Sequence, residues 1–156
     1  MPSSFDNVGP QYQELPKFLA KSKYQNPTDN TKTVFNDAFK TELPVFLWFP
    51  HQGEAYDYFN QYMASRRDAS STWLSVYPIQ EETQGWNPEL PVFIDMGGGI
   101  GHQCAELKAK YPQLPGRVIL QELPHCINDA LPTPGVENMV HDIFQPQPVQ
   151  GMCAIT

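Results

Sequence analysis

Cysteine is scarce in this chain. Its three copies, Cys104, Cys126 and Cys153, are odd in number and form no C-x-x-C pair, which excludes a disulfide framework and a structural zinc site and fits a reducing compartment. Positive charge is scarce too: 10 Lys and Arg face 17 Asp and Glu, for a net charge of −7, and no basic stripe occurs. Nucleic acid and anionic membrane surfaces reward clustered cations, so neither is an expected partner. Long apolar runs are missing. The longest strongly apolar one, Val45 to Phe49, is far too short to cross a bilayer, and the start, Met1-Pro-Ser-Ser-Phe-Asp6, has neither a positive n-region nor an apolar h-region. A soluble, cytoplasmic protein without a resident metal is expected. Aromatics, by contrast, make up 12% of the residues; with 16 prolines the chain is often interrupted but not short of core material.

The most informative stretch is Val92-Phe-Ile-Asp-Met-Gly-Gly-Gly-Ile-Gly-His102. A short apolar run meets an acid and then three glycines, which predicts a buried parallel strand, β1, running into a tight turn at a helix start. Glycine accepts positive φ there and lets backbone approach a ligand, while free N–H groups at the helix start offer donors. The dinucleotide fingerprint G-x-G-x-x-G is incomplete, because His102 holds its last glycine place when counted from Gly97. What remains is acid-x-G-x-G-x-G, Asp95 to Gly101, the first-strand pattern of S-adenosylmethionine-dependent methyltransferases.

Ahead of this turn, residues 1–30 read as polar and loop-rich, with one short helix at Gln13 to Lys21. Thr28, Asp29 or Thr31 is the expected cap of a helix running to about Phe39, with Phe35, Ala38 and Phe39 on one face. Val45 to Phe49, between Pro44 and Pro50, is a short buried helix or an extended segment. Ala55, Phe59, Tyr62 and Met63 keep helical spacing, closed by Arg66-Arg67. Trp73, Leu74 and Tyr77 precede Pro78, and residues 79–91 read as a linker. Domains are expected at 1–90, mostly helical, and 91–156, α/β.

Beyond the turn, Ile100, Cys104, Leu107 and Tyr111 lie on one helical face. Val118-Ile-Leu120 is apolar at consecutive positions, as a strand covered on both faces should be. A short helix over about His125 to Leu131 leads to a third strand, Val136 to Val140. The order β-α-β-α-β with right-handed crossovers predicts an α/β fold, a parallel sheet of spatial order 3-2-1 preceded by a helical segment. Ligands bind beyond the carboxyl ends of such strands. Three polar sites stand there: the turn Gly97, Gly98, Gly99 and Gly101, then Glu122, then Asp142. Glu122 follows the glycines by about 20 residues, the distance at which a carboxylate reaches ribose hydroxyls. Asp142 and the backbone of Ile143 would face an adenine edge.

Phe93 to His102, Gly116-Arg-Val-Ile-Leu-Gln-Glu-Leu-Pro124 and Gly135-Val-Glu-Asn-Met-Val-His-Asp-Ile-Phe144, with Gln145-Pro-Gln-Pro-Val149, resemble successive motifs of the caffeic-acid-type O-methyltransferases in their fungal secondary-metabolism branch. Asn26-Pro-Thr-Asp-Asn-Thr-Lys-Thr33, Phe59-Asn-Gln-Tyr-Met63 and Trp73-Leu-Ser-Val-Tyr-Pro78 resemble the stretch before the glycine motif in that branch. The resemblance covers about Leu15 to Gly151. It implies a Rossmann-like domain binding S-adenosyl-L-methionine, with Gly97 to Gly101 near the methionine part, Glu122 at the ribose, and Asp142 with Ile143 at the adenine; Asp95 and Leu123 complete the cofactor-binding set. It implies methyl transfer to a phenolic or enolic hydroxyl of an aromatic, polyketide-type substrate, with Phe59 and Met63 near the substrate.

Members of that family also carry a winged-helix dimerisation domain before this region and, after it, an Ile-Leu-His-Asp-Trp motif whose histidine is the general base. Neither pattern occurs between Met1 and Thr156, and a member shortened at both ends is the expectation. Loss of positioned proton transfer typically costs 10²- to 10⁴-fold in rate. The half-sheet would leave Val92 to Ile94 as an apolar open edge that invites a homo- or hetero-oligomer. Two alternatives therefore stand beside a methyltransferase: a non-catalytic partner module for a full-length enzyme, and a catalyst of rearrangement or cyclisation.

Overall fold

A computed structural model describes residues 2–65 and 72–150. The chain divides into two compact units, Met1–Arg67 and Asp68–Thr156. No described helix is long and apolar enough to cross a membrane.

The first unit is helical: α1 (Pro2–Lys21), α2 (Val34–Phe39), α3 (Val45–Trp48) followed by a 3₁₀ turn Phe49–Gln52, and α4 (Glu54–Ser65). The long α1 corrects the short helix expected from Gln13 on. Pro10 and Pro16 lie inside it, because a proline removes one donor and bends a helix without forbidding its continuation. The expected caps of α2 are corrected as well. Its N-cap is Thr33, whose N–H and hydroxyl donate to Asn36 Oδ1 at 3.0 and 2.8 Å. Asp29 is engaged earlier: one oxygen accepts from the Thr31 N–H (2.9 Å) and hydroxyl (2.6 Å), the other pairs with Lys32. Lys32 and Thr31 together hold the Asp29 carboxyl well below its ordinary pKa. Buried Asn36 also donates to the carbonyls of Thr41 (3.0 Å) and Leu43 (2.9 Å), so one side chain fixes both ends of α2.

An aromatic chain fills this unit. Phe35, Phe39 and Trp48 lie mutually within 5.2 Å, and Phe49 meets Phe59 edge-on at 5.2 Å. Val45 to Trp48 is thus helical but not buried: Phe46 and Leu47 face solvent while Phe49 carries the packing. Arg66 and Arg67, expected to close α4, fall outside the described residues, as does Cys153.

The second unit holds a 3₁₀ turn Trp73–Ser75, α5 (Ile79–Glu82), β1 (Pro91–Met96), α6 (His102–Lys110), β2 (Arg117–Glu122), α7 (Pro124–Asn128) and β3 (Val136–Val140). The three strands form a parallel sheet of order β1-β2-β3, as the crossover rule requires. The pairs Phe93↔Val118 and Asp95↔Leu120 share one face with Cys104 and Leu107 of α6 beside it in the core. Ile94↔Ile119 and the row Met96, Gln121, Met139 occupy the other.

Two expectations change here. Residues 79–91 are not a linker: Ile79 is 2% exposed and joins Leu74, Val92 and Leu107 in the core, so the second unit begins well before residue 91. One apolar side chain anchors a stretch whose remaining residues are polar, and composition averages that anchor away. The open edge also differs. Among the described residues β1 pairs only with β2, yet Val92, Phe93 and Ile94 are at most 4% exposed, and the Trp73 ring stacks on Phe93 at 5.2 Å. The edge is thus open along its backbone, while its apolar side chains are covered.

Candidate functional site

The tip of β1 turns through Gly97 to Gly101 into α6. Gly97, Gly99 and Gly101 have φ of +69°, +62° and +88°, values that side chains with a Cβ rarely adopt. Gly98 is needed for a different reason: a Cβ there would stand 2.4 Å from Asp95 Cγ and Oδ2 and 2.7 Å from Leu120 Cδ1. Nothing lies within 4 Å of where a Cβ would stand on Gly97 or Gly99, so the turn has open space over it.

Its shape is held by the neighbouring strand. Gly97 N–H donates to Gln121 O at 2.8 Å, and Gly99 N–H donates to Glu122 Oε1 at 3.1 Å. The other carboxylate oxygen, Oε2, accepts from Leu123 N–H at 2.6 Å. Glu122 thereby joins the glycine turn, its own strand tip and the start of α7 through one side chain. A carboxylate has about four acceptor positions, so lone pairs remain for further donors. Farther along, Leu131 N–H donates to Ile100 O at 2.9 Å and ties the loop after α7 to the same turn.

At the third tip, His141 N–H donates to Glu122 O at 3.0 Å and extends the ladder by one step. Asp142 then folds into its own turn: its Oδ1 accepts from Phe144 N–H at 3.0 Å and its carbonyl from Gln145 N–H at 2.8 Å. Ile143 and Phe144 are exposed, 58% and 86%. The structure thus joins Gly99, Glu122 and Leu123 by direct hydrogen bonds, ties Gly97 to the Gln121 carbonyl, and sets Asp142 and Ile143 on the adjacent strand end.

Asp95 stands differently from its expected companions. It is 3% exposed and lies beneath the turn, 3.8 Å from Cys104 Sγ and 3.5 Å from Gln103 Nε2. Burial, reinforced by the nearby Asp95 charge, pushes the Cys104 thiol up to about 12. Phe59 and Met63 belong to α4 of the first unit, where Phe59 packs on Phe49 and Met63 is 39% exposed. Among the described residues no group of three or more His, Cys, Asp or Glu could hold a metal ion.

Spacing alone does not single out Gln121 and Gln147. Gln121 is fully buried on β2, and its amide exchanges two 2.7 Å hydrogen bonds with the Gln147 amide from the loop after β3. The signal was a glutamine inside the otherwise apolar run Val118-Ile-Leu-Gln121, since a polar group in a covered strand needs a partner.

No family model matches the chain. It is 39% identical over 147 residues to the O-methyltransferase ucdC of Aspergillus ustus, covering 94% of this chain and 38% of that protein. Among solved structures it is similar to LepI in complex with SAM, with 39% identity, a TM-score of 0.75 and coverage of 98% of this chain and 39% of that one. The chain thus spans about 38–40% of the length of the curated relatives that match it first. The O-methyltransferase dpmpI of Macrophomina phaseolina is shorter: 36% identity over 153 residues covers 94% of this chain and 77% of that protein. Aligned over most of both sequences with that relative, and sharing its fold with the SAM-bound neighbour, the chain belongs to the fungal O-methyltransferase family.

Proposed function

We propose that the second unit binds S-adenosylmethionine across the three strand tips and is the cofactor half of an O-methyltransferase acting on phenolic, polyketide-type metabolites. The observation that carries this is the Glu122 carboxylate, which shapes the glycine turn through Gly99 N–H and keeps lone pairs for ribose hydroxyls. Space above Gly97 and Gly99 supports the fit, because the methionine part needs backbone that a side chain would obstruct. Gly97, Gly99, Gly101, Glu122 and Leu123 would hold methionine and ribose, and Asp142 with Ile143 the adenine. Asp95 and Gly98 would keep the turn in shape from below. When bound, the cofactor supplies a methyl group on a sulfonium, which an ionised hydroxyl can attack. Phe59 and Met63 would contact the acceptor.

Calorimetry with S-adenosylmethionine on the whole chain, repeated after Glu122→Ala and Asp142→Ala, tests the reading. Weaker binding in both variants is expected; equal affinity in all three proteins removes it. Methyl incorporation into phenolic acceptors, alone and with a full-length relative added, then separates an enzyme from a component that needs the rest of the fold.

A second reading is favoured by one comparison. A structure 39% identical to this chain, with a TM-score of 0.75, is described as a pericyclic reaction enzyme. Under this reading the same site assists rearrangement or ring closure, and product would form with no gain of a methyl mass.

A further inference from the structure

We propose that Gln147 is a positioning residue: paired amide to amide with Gln121, it clamps the turn that begins at Asp142. The inference rests on the cofactor reading above and adds to it what fixes the third strand tip.

Residues 142 to 146 are all exposed, so burial cannot hold this turn in place. One end is fastened by His141 N–H to Glu122 O. At the other end the chain returns to the sheet through Gln147. Gln121 Nε2 donates to Gln147 Oε1 and Gln147 Nε2 to Gln121 Oε1, both at 2.7 Å, a closed two-bond ring between a core strand and the loop. Each amide's second N–H meets a sulfur of the same sheet row, Gln147 that of Met96 at 3.1 Å and Gln121 that of Met139 at 3.3 Å. Gln147 Oε1 also accepts from Val149 N–H at 3.1 Å. Every donor of the pair is therefore used. Apolar packing would hold the loop near the sheet but in no particular register, whereas two opposed amides accept one geometry. The clamp converts a solvent-exposed turn into a fixed one beside Glu122.

The test uses Gln147→Ala and the double variant Gln121→Leu/Gln147→Leu in the whole chain. Removing one amide leaves a buried Gln121 without its partner and can lower stability; removing both avoids that orphan, and the thermal midpoint should recover. Hydrogen exchange in the ligand-free protein is the first readout. The Phe144 and Gln145 amides should exchange about tenfold faster in both variants, as the loss of roughly one net hydrogen bond predicts, while Val118 to Leu120 stay protected. S-adenosylmethionine affinity is the second, expected to fall about tenfold in both. If the double variant regains wild-type affinity along with its midpoint, the pair only packs and the proposal is overturned. Unchanged exchange at Phe144 and Gln145 overturns it equally. Wild-type protein that binds no S-adenosylmethionine would remove the cofactor reading and with it the clamp's role in binding, an outcome distinct from wild-type binding that both variants retain.

Discussion

Gly98→Ala is the most direct probe of the glycine turn. The backbone at Gly98 lies outside the left-handed region, so an added methyl brings no φ strain, and its whole cost is steric. That methyl would stand 2.4 Å from Asp95 Cγ and Oδ2 and 2.7 Å from Leu120 Cδ1. Neither neighbour can retreat, since Asp95 is 3% and Leu120 1% exposed. The turn must therefore lift, which also pulls Gly99 N–H away from Glu122. Overpacking of this kind costs about 1–3 kcal/mol. For a domain of this size about 2 kcal/mol lowers the thermal midpoint by roughly 10 °C. Gly99→Ala is the contrast: nothing lies within 4 Å of its Cβ, but φ is +62°, so its cost of about 1 kcal/mol is conformational. Tryptophan fluorescence in urea reads the unit through Trp73 and Trp86. Asp95→Ala should relieve much of the Gly98→Ala cost and none of the Gly99→Ala cost, a coupling of about 1 kcal/mol or more in a double-mutant cycle. Gly98→Ala within about 0.5 kcal/mol of wild type, or equal relief of both variants, would refute the close approach.

Cys104 should resist iodoacetamide in the native protein, because its thiol is held near 12, and mass spectrometry showing native labelling at Cys104 would contradict its burial. The same shift makes stability fall as pH rises from 9.0 towards about 12, where the unfolded thiol ionises and the folded one does not; Cys104→Ala should flatten that part of a urea-midpoint profile. Arg117 donates twice to Glu137, at 2.8 and 2.7 Å, and this holds the Glu137 carboxyl below its ordinary range. The stabilisation is present above the ordinary glutamate pKa and lost as pH falls through the lowered one. Both groups are partly exposed, so the contribution is small, and Glu137→Gln should remove it at pH 7 and make progressively less difference as pH falls below the ordinary glutamate range. Asn36→Ala should destabilise the first unit by about 1–3 kcal/mol, since Asn36 is buried and the carbonyls of Thr41 and Leu43 and the Thr33 cap lose it together; near-UV circular dichroism melts that match wild type would count against it.

The placement of the candidate site's residues at the strand tips was legible wherever it depends on spacing. A strand ending in Asp95 and a glycine run, with carboxylates at the ends of the next two strands, is a periodic signal, and the sheet order followed from handedness alone. Legibility failed where one residue acts against its surroundings. Ile79 anchors a polar stretch, Thr33 caps α2 although three other cap residues precede it, and α1 runs on through Pro10 and Pro16. Asp95 looked like its neighbours at the tip but points beneath the turn, and the Gln121–Gln147 pair joins positions that no local pattern connects. Each of these depends on what lies across the fold, which periodicity does not encode.

The bond from Gly99 to Glu122 spans 23 residues of sequence, and that interval matters while the chain is being made. A ribosome delivers the glycines first, as unrestrained peptide, and the carboxylate that shapes them emerges only with the following strand. The turn takes its shape when those two strands zip together, so under the proposed function nucleoside recognition would follow sheet assembly. A nucleoside that binds there would lock the pairing in return, serving the nascent protein as a template.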